Sequence, residues 1–176
     1  MNTRGLGRVT KAINNFSHNK FHILFVPDDQ FCNYIDNGEG FCTYGFAINK
    51  REQKCMYRWL AQTFDYNPNE IPFFIMCLLH EIGHAQTEND FTDEEWETYS
   101  NNVMYFDDAF ENDEELEDSE FDDLCCEYYD MPQEKAAWVW AFDYVKSHRG
   151  ECVQLWKRIR KPIREFLLYR MKRRED

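Results

Sequence analysis

His80, Glu81 and His84 stand together in "LLHEIGHAQ", Leu78 to Gln86, at the end of the apolar run "FFIMCLL". A core holds polar groups only where each finds a partner. On a helix, residues four apart share one face with their β-carbons about 5–6 Å apart, so His80 and His84 point the same way. Two imidazoles so placed suit one zinc ion, with zinc–nitrogen bonds of about 2.0–2.1 Å. Glu81, next to the first histidine rather than in line with both, can reach a metal-bound water and take its proton. HExxH thus joins a Lewis acid, an acidified water and a base.

Such a site needs a third protein ligand, which is His, Glu or Asp. Glu134 is the first choice, because it opens the helix "EKAAWVWA" on the side that carries Ala137, Trp138 and Ala141, a stripe suited to packing on the motif helix. Asp90 competes. It stands ten residues after His80, where the longer H-E-x-x-H-x-x-G-x-x-H pattern places its third ligand, although Thr87 occupies the position where that pattern turns on glycine. His148 lies too far along its helix to share a metal with a first-turn Glu134. Tyr128, Tyr129, Tyr144 and His148 are the candidates for stabilising a developing oxyanion.

The elements that must carry these residues are legible in outline. Leu6, Val9, Ile13 and Phe16 repeat at helical spacing. "KFHILFV" has the composition of a strand closed by Pro27. "PDDQFCNYIDNGEG" is rich in turn residues, and "FCTYGFAIN" alternates bulky with small or polar residues, the period of a strand. A helix with Met56, Trp59, Leu60 and Phe64 inward follows. "DYNPNEIP" is a break, with Asn67 or Asn69 available as a cap, so the motif helix is expected from about 70 through His84. "DFTDEEWETYSNNVMYF" suits a further helix, whereas "DDAFENDEELEDSEFDD" is a charge run expected to be a solvated loop or mobile helix. Asp130 can cap the Glu134 helix, with Pro132 in its first turn and Gln133 at the capping-box position. That helix is expected to end before Gly150, and the basic tail to break or kink at Pro162.

The chain has 176 residues, 43% of them hydrophobic and 17% aromatic, enough for one compact domain and too few for two. Seven cysteines without a CxxC pair suit reduced thiols. The first residues hold no apolar stretch of signal-peptide length, and Ile71 to Leu79 is too short to span a bilayer, so a soluble, cytoplasmic protein without membrane partners is expected. The net charge of −13 is uneven: Glu88 to Asp130 contains no Lys or Arg, while Lys146 to Arg174 holds more than half of the bases. Stable binding of nucleic acid is disfavoured, although the basic tail alone can touch phosphate.

"LLHEIGHAQ" together with "EKAAWVWAF", preceded by "GFCTYGFAIN", resembles the small bacterial and phage zinc metallopeptidases of the ImmA/IrrE type. In that family HExxH supplies two ligands and the base, and a later E-x-x-A helix supplies the third. The resemblance spans about Phe21 to Val145, and it implies His80, His84 and Glu134 on Zn2+ with Glu81 as the catalytic residue. The acidic insert is longer than such proteins have, and no helix-turn-helix is visible.

The fold class expected is therefore α+β: a minimal zincin-like domain over 1–150, with a small, mostly antiparallel sheet, an acidic insert at about 88–130, and a basic helical extension packed back at 151–176. The expected activity is hydrolysis of peptide bonds in a protein or peptide substrate, which would add a strand along an edge of the 41–48 strand. Two other readings remain: a non-catalytic, zinc-containing interaction module acting through its acidic surface, and an acidic decoy that imitates nucleic acid.

Overall fold

The computed structural model describes residues 4–16, 22–25, 32–35, 41–44, 50–111 and 116–174. The elements are α1 (Arg4–Phe16), β1 (His22–Phe25), β2 (Cys32–Ile35), β3 (Phe41–Tyr44), α2 (Lys50–Phe64), α3 (Phe73–Thr87), α4 (Asp93–Glu111), α5 (Asp118–Tyr129) and α6 (Pro132–Arg174), with a 3₁₀ turn at Glu88–Asp90.

The expected α+β class, with its mostly antiparallel sheet, is corrected: the body is all-α. Every buried residue of the described core lies on a helix or in a link between helices. The strands are four residues each and form a ribbon in the order β1-β3-β2, parallel between β1 and β3 and antiparallel between β3 and β2. β3 is thus the middle strand, with both edges already paired, so residues 41–44 offer no free edge to a substrate. The turn-rich segment before it contributes β2, which alternation alone did not reveal.

α3 is the central helix. It is apolar nearly all round, as a helix must be when neighbours cover every side, and Ile75, Met76, Leu78 and Leu79 are fully buried. Its start falls at Phe73 rather than at about 70, with Pro72 in the cap position in an extended conformation. Asn67 shapes the preceding turn instead of capping: its Oδ1 accepts the Asn69 amide at 3.0 Å, and its carbonyl accepts the Glu70 amide at 3.0 Å.

The most extensive helix packing is between α3 and α6. It closes at Gly83, where an added Cβ would stand 2.5 Å from the Ala137 carbonyl oxygen and 2.9 Å from its Cα. Those atoms are backbone and cannot swing aside. Gly83→Ala is therefore expected to force α6 off α3 at a cost of about 1–3 kcal/mol, less any gain in helix propensity. For a chain of this size the melting temperature should fall by roughly 2–4 °C per kcal/mol. An unchanged melting curve would contradict the close crossing.

Where it is described, the charge run at 107–123 is mostly exposed, as expected of a solvated run, with Phe121 buried, and caps and apolar faces tie the rest of the acidic segment to the fold. α4 opens with a capping box at Thr92 and Glu95: Glu95 Oε2 accepts the Thr92 amide at 2.7 Å, and Thr92 Oγ1 accepts the Glu95 amide at 3.3 Å. α5 opens with another, formed by Glu117 and Glu120. Phe121, Cys125 and Tyr129, four apart on one face of α5, are buried. Basic residues of α2 hold its acidic side, with Arg51 3.1 Å from Asp118 and stacked over the Phe121 ring, and Arg58 paired with Asp122. The bases that meet this part of the acidic segment thus come from α2 and not from the basic tail.

α6 begins at Pro132, so Met131 rather than Asp130 is its cap residue, and Asp130 pairs instead with Lys135 at 2.9 Å. It is two helices joined across a kink at His148, where the backbone is non-helical with φ −128° and ψ 28°, so the Glu134 helix ends before Gly150 as expected. No break falls at Pro162, which lies inside the helix between the buried Ile159 and Ile163. Cys152, Leu155, Ile159 and Ile163 join one apolar cluster with Val9 and Ile13 of α1. Phe166 and Leu167 of the extension expected to pack back lie outside the residues whose side chains are described. No helix among the described residues is long and apolar enough to cross a membrane.

Candidate metal centre

The crossing at Gly83 and Ala137 sets the site. One turn N-terminal to Ala137 on α6 stands Glu134, and on α3 His80 and His84 flank the glycine. His80 Nε2 lies 3.1 Å from Glu134 Oε2, His84 Nε2 lies 3.4 Å from Glu134 Oε1, and the two Nε2 atoms are 3.1 Å apart. One ligand atom from each of the three residues falls within 4.8 Å of the others, and all three residues are buried. This is the only such group among the described residues.

The surroundings hold each side chain in place. The Trp138 indole stacks on the His80 ring at 4.1 Å between centroids and 22° between planes, closing one side of the site. Glu134 Oε1 accepts hydrogen bonds from the Tyr99 hydroxyl at 2.5 Å and the Tyr128 hydroxyl at 3.2 Å. Gln133, adjacent to Glu134, donates to the Glu95 carbonyl at 3.1 Å and so ties the first turn of α6 to α4. Glu81 is buried on α3 beside His80, outside the group of three.

Electrostatics follow from burial and from these contacts. Burial would raise the Glu134 pKa, but the two imidazoles outweigh it and hold the carboxyl well below its usual range. Burial, reinforced by the charge of His84, pushes His80 down to about 4 against the pull of Glu134. The His80 Nδ1 has no hydrogen-bond partner among the described residues, so nothing there stabilises a second ring proton. For His84, burial acts downward too, yet the carboxylates of Glu134 and Glu81 win and its pKa is raised. Burial beside Glu134 raises both Tyr99 and Tyr128, which keeps their hydroxyls protonated as donors.

A pH dependence of the metal-free protein follows. Between the ordinary imidazole value of 6.5 and about 4, His80 is neutral when folded and protonated when unfolded, so stability falls as the pH falls through that window. The loss is on the order of 3 kcal/mol at the lower end, at 1.36 kcal/mol per pKa unit. His84 adds little slope there, because with a raised pKa it is protonated in both states below 6.5. Denaturant titrations at pH 7 and pH 4.5 should show the loss in wild type and less of it in His80→Gln; equal stability at the two pH values would contradict it.

Two imidazole nitrogens and a carboxylate oxygen converging in a buried space suit a divalent transition ion of zinc's type, and by its oxygen-poor composition the set is a poor fit for magnesium or calcium. The residues expected from HExxH are therefore together, and of the two candidates for third ligand Glu134 is in the group. Asp90 is not: it is exposed in the 3₁₀ turn after α3. Thr87, where the longer pattern has glycine, takes a helical-to-bridge backbone and donates its hydroxyl to the Gly83 carbonyl at 3.0 Å, closing the helix instead of opening a turn for Asp90.

The four oxyanion candidates separate by position. Tyr128 reaches the site, but its hydroxyl is given to Glu134. Tyr129 is packed against Trp59, and Tyr144 points to Glu151. His148 is exposed and stacks on Tyr144. Tyr99 went unnoticed because it sits inside an acidic, amphipathic helix with no motif around it. The one signal available was Thr92 and Glu95, a capping pair that fixes where α4 starts and so which face Tyr99 shares with Trp96. Comparison with known proteins finds no family model, no curated protein and no solved structure that matches the chain.

Proposed function

We propose that this chain is a metal-dependent peptidase, with zinc as the ion, that hydrolyses peptide bonds in a protein or peptide substrate. The observation that carries the proposal is the closure of the HExxH helix on Glu134 into a buried group of two imidazoles and one carboxylate, with Glu81 beside that group and not part of it. A bound divalent ion there supplies a Lewis acid and lowers the pKa of a water. His80, His84 and Glu134 hold it, and Glu81 accepts a proton from the attacking water and returns it to the departing amine, as general acid–base chemistry requires. Trp138 shields the His80 face from bulk water, which strengthens the electrostatics inside.

Exposed Met104 and Tyr105 on the acidic helix α4 favour a second reading, an interaction module that holds a metal without turnover. The two readings part on one experiment: metal content and hydrolysis of an unstructured protein such as casein, measured on wild type, His80→Ala and Glu81→Gln. Peptidase chemistry gives metal and turnover in wild type, neither in His80→Ala, and metal alone in Glu81→Gln. Stoichiometric metal without turnover of any protein or peptide offered supports the module, and absence of metal rejects both.

A further inference from the structure

The acidic segment reaches the metal centre through two phenols, and this contact has a consequence for how the carboxylate ligand is presented. Tyr99 comes from α4 and Tyr128 from α5, helices separated by residues 112–117, yet both hydroxyls converge on the same atom, Glu134 Oε1, at 2.5 and 3.2 Å. The other oxygen, Oε2, takes neither of these bonds and lies 3.1 Å from His80 Nε2. Aromatic packing fixes both donors. The Tyr99 ring meets Trp96 edge-on at 5.4 Å, and Trp96 is itself held by a 2.9 Å hydrogen bond from its Nε1 to the Glu88 carbonyl. Tyr128 packs edge-on against Phe106 at 5.5 Å and Tyr129 at 5.3 Å.

We propose that Tyr99 and Tyr128 are the positioning residues of the centre: by engaging Oε1 they make Glu134 a one-oxygen ligand through Oε2, and so set the coordination number of the ion. The proposal rests on the metal reading above. Its physical basis is competition, since each lone pair of Oε1 that accepts a phenol proton is unavailable to a cation, and partners behind a ligand fix its orientation and basicity. It also assigns a role to the acidic segment, whose helices α4 and α5 each deliver one of the two hydroxyls.

Cobalt(II) is the probe, because its visible absorption is strong in four-coordinate sites and weak in five-coordinate ones. The full-length protein is titrated with cobalt(II) as wild type, Tyr99→Phe, the double variant Tyr99→Phe/Tyr128→Phe, and Ile13→Val. Each Tyr→Phe change removes one oxygen and keeps the ring, so packing is retained. The double variant is expected to bind one cobalt with about 10–100-fold lower affinity and with a weaker visible band, as Oε1 turns to the ion; Tyr99→Phe should fall between. Ile13→Val thins the buried contact of α1 with the C-terminal part of α6, away from Glu134 and both phenols, and should lower stability while leaving the band unchanged. A double variant with wild-type affinity and spectrum overturns the proposal, as does an Ile13→Val spectrum that shifts as far as that of Tyr99→Phe. Wild-type protein that takes up no cobalt removes the metal reading itself, and this assignment with it.

Discussion

Glu81→Gln should retain one metal ion per chain and lose peptide-bond hydrolysis by a factor on the order of 10²–10⁴, the usual contribution of a positioned general base. The substitution keeps length and shape, so the packing of α3 around this buried position is preserved. It removes only the capacity to take a proton. The three groups that converge, His80, His84 and Glu134, are left intact, which is why metal content should not follow activity. His80→Ala makes the contrast, since it deletes one of the three donors together with the ring on which Trp138 stacks. A Glu81→Gln protein that cleaves as fast as wild type would sink the proposed mechanism while leaving the metal centre standing.

Glu134→Ala should lose metal affinity beyond the 10–100-fold typical of removing a supporting residue, and Asp90→Ala should leave it unchanged. The difference is one of place. Glu134 is fixed on the first turn of α6, 1% exposed, with two phenols behind it and two imidazoles in front. Asp90 is on an exposed 3₁₀ turn and belongs to no group of converging ligands. Removing Glu134 also leaves the two hydroxyls and His84 without their shared acceptor inside a buried space, so the metal-free protein should be destabilised as well, by at least the 1–3 kcal/mol of one stranded polar group. Zinc titration and thermal unfolding on the two variants measure both effects. The reverse pattern, with Asp90→Ala losing zinc, would reassign the third ligand to the turn after α3.

Periodicity and local chemistry made the histidines legible before any fold was known. His80 and His84 are four apart in an apolar helix, and that spacing fixes their common face wherever the helix sits. Glu134 was legible with less force, because its choice depended on the stripe of Ala137, Trp138 and Ala141 facing α3. Asp90 had an equally regular spacing, and only the Thr87 hydroxyl, which donates back to the Gly83 carbonyl, shows why that route is not taken. The acidic segment was legible as a solvated run but not for its apolar side: net charge dominates its composition, while Phe121, Cys125 and Tyr129 recur every fourth residue and are enough to seat α5 on α2. The alternation of residues 41–48 misled on fold class, since alternation signals a strand and says nothing of how many strands pair, or whether they carry the core.

The sequence by itself determined that two imidazoles share a helix face with a carboxylate beside them, because i and i+4 geometry is a local property of the α-helix. It also determined which helix must be central, since α3 has no polar side to turn to water. The tertiary structure alone decided how closely α6 crosses α3, which depends on Gly83 meeting the Ala137 backbone without a side chain between them. That crossing brings Glu134 to the histidines from fifty residues away. It decided equally that Tyr99 and Tyr128, from separate acidic helices, meet on one carboxylate oxygen. Convergence of this kind is fixed by long-range packing, where each partner is specified by the shape of the others and not by its own neighbours in the chain.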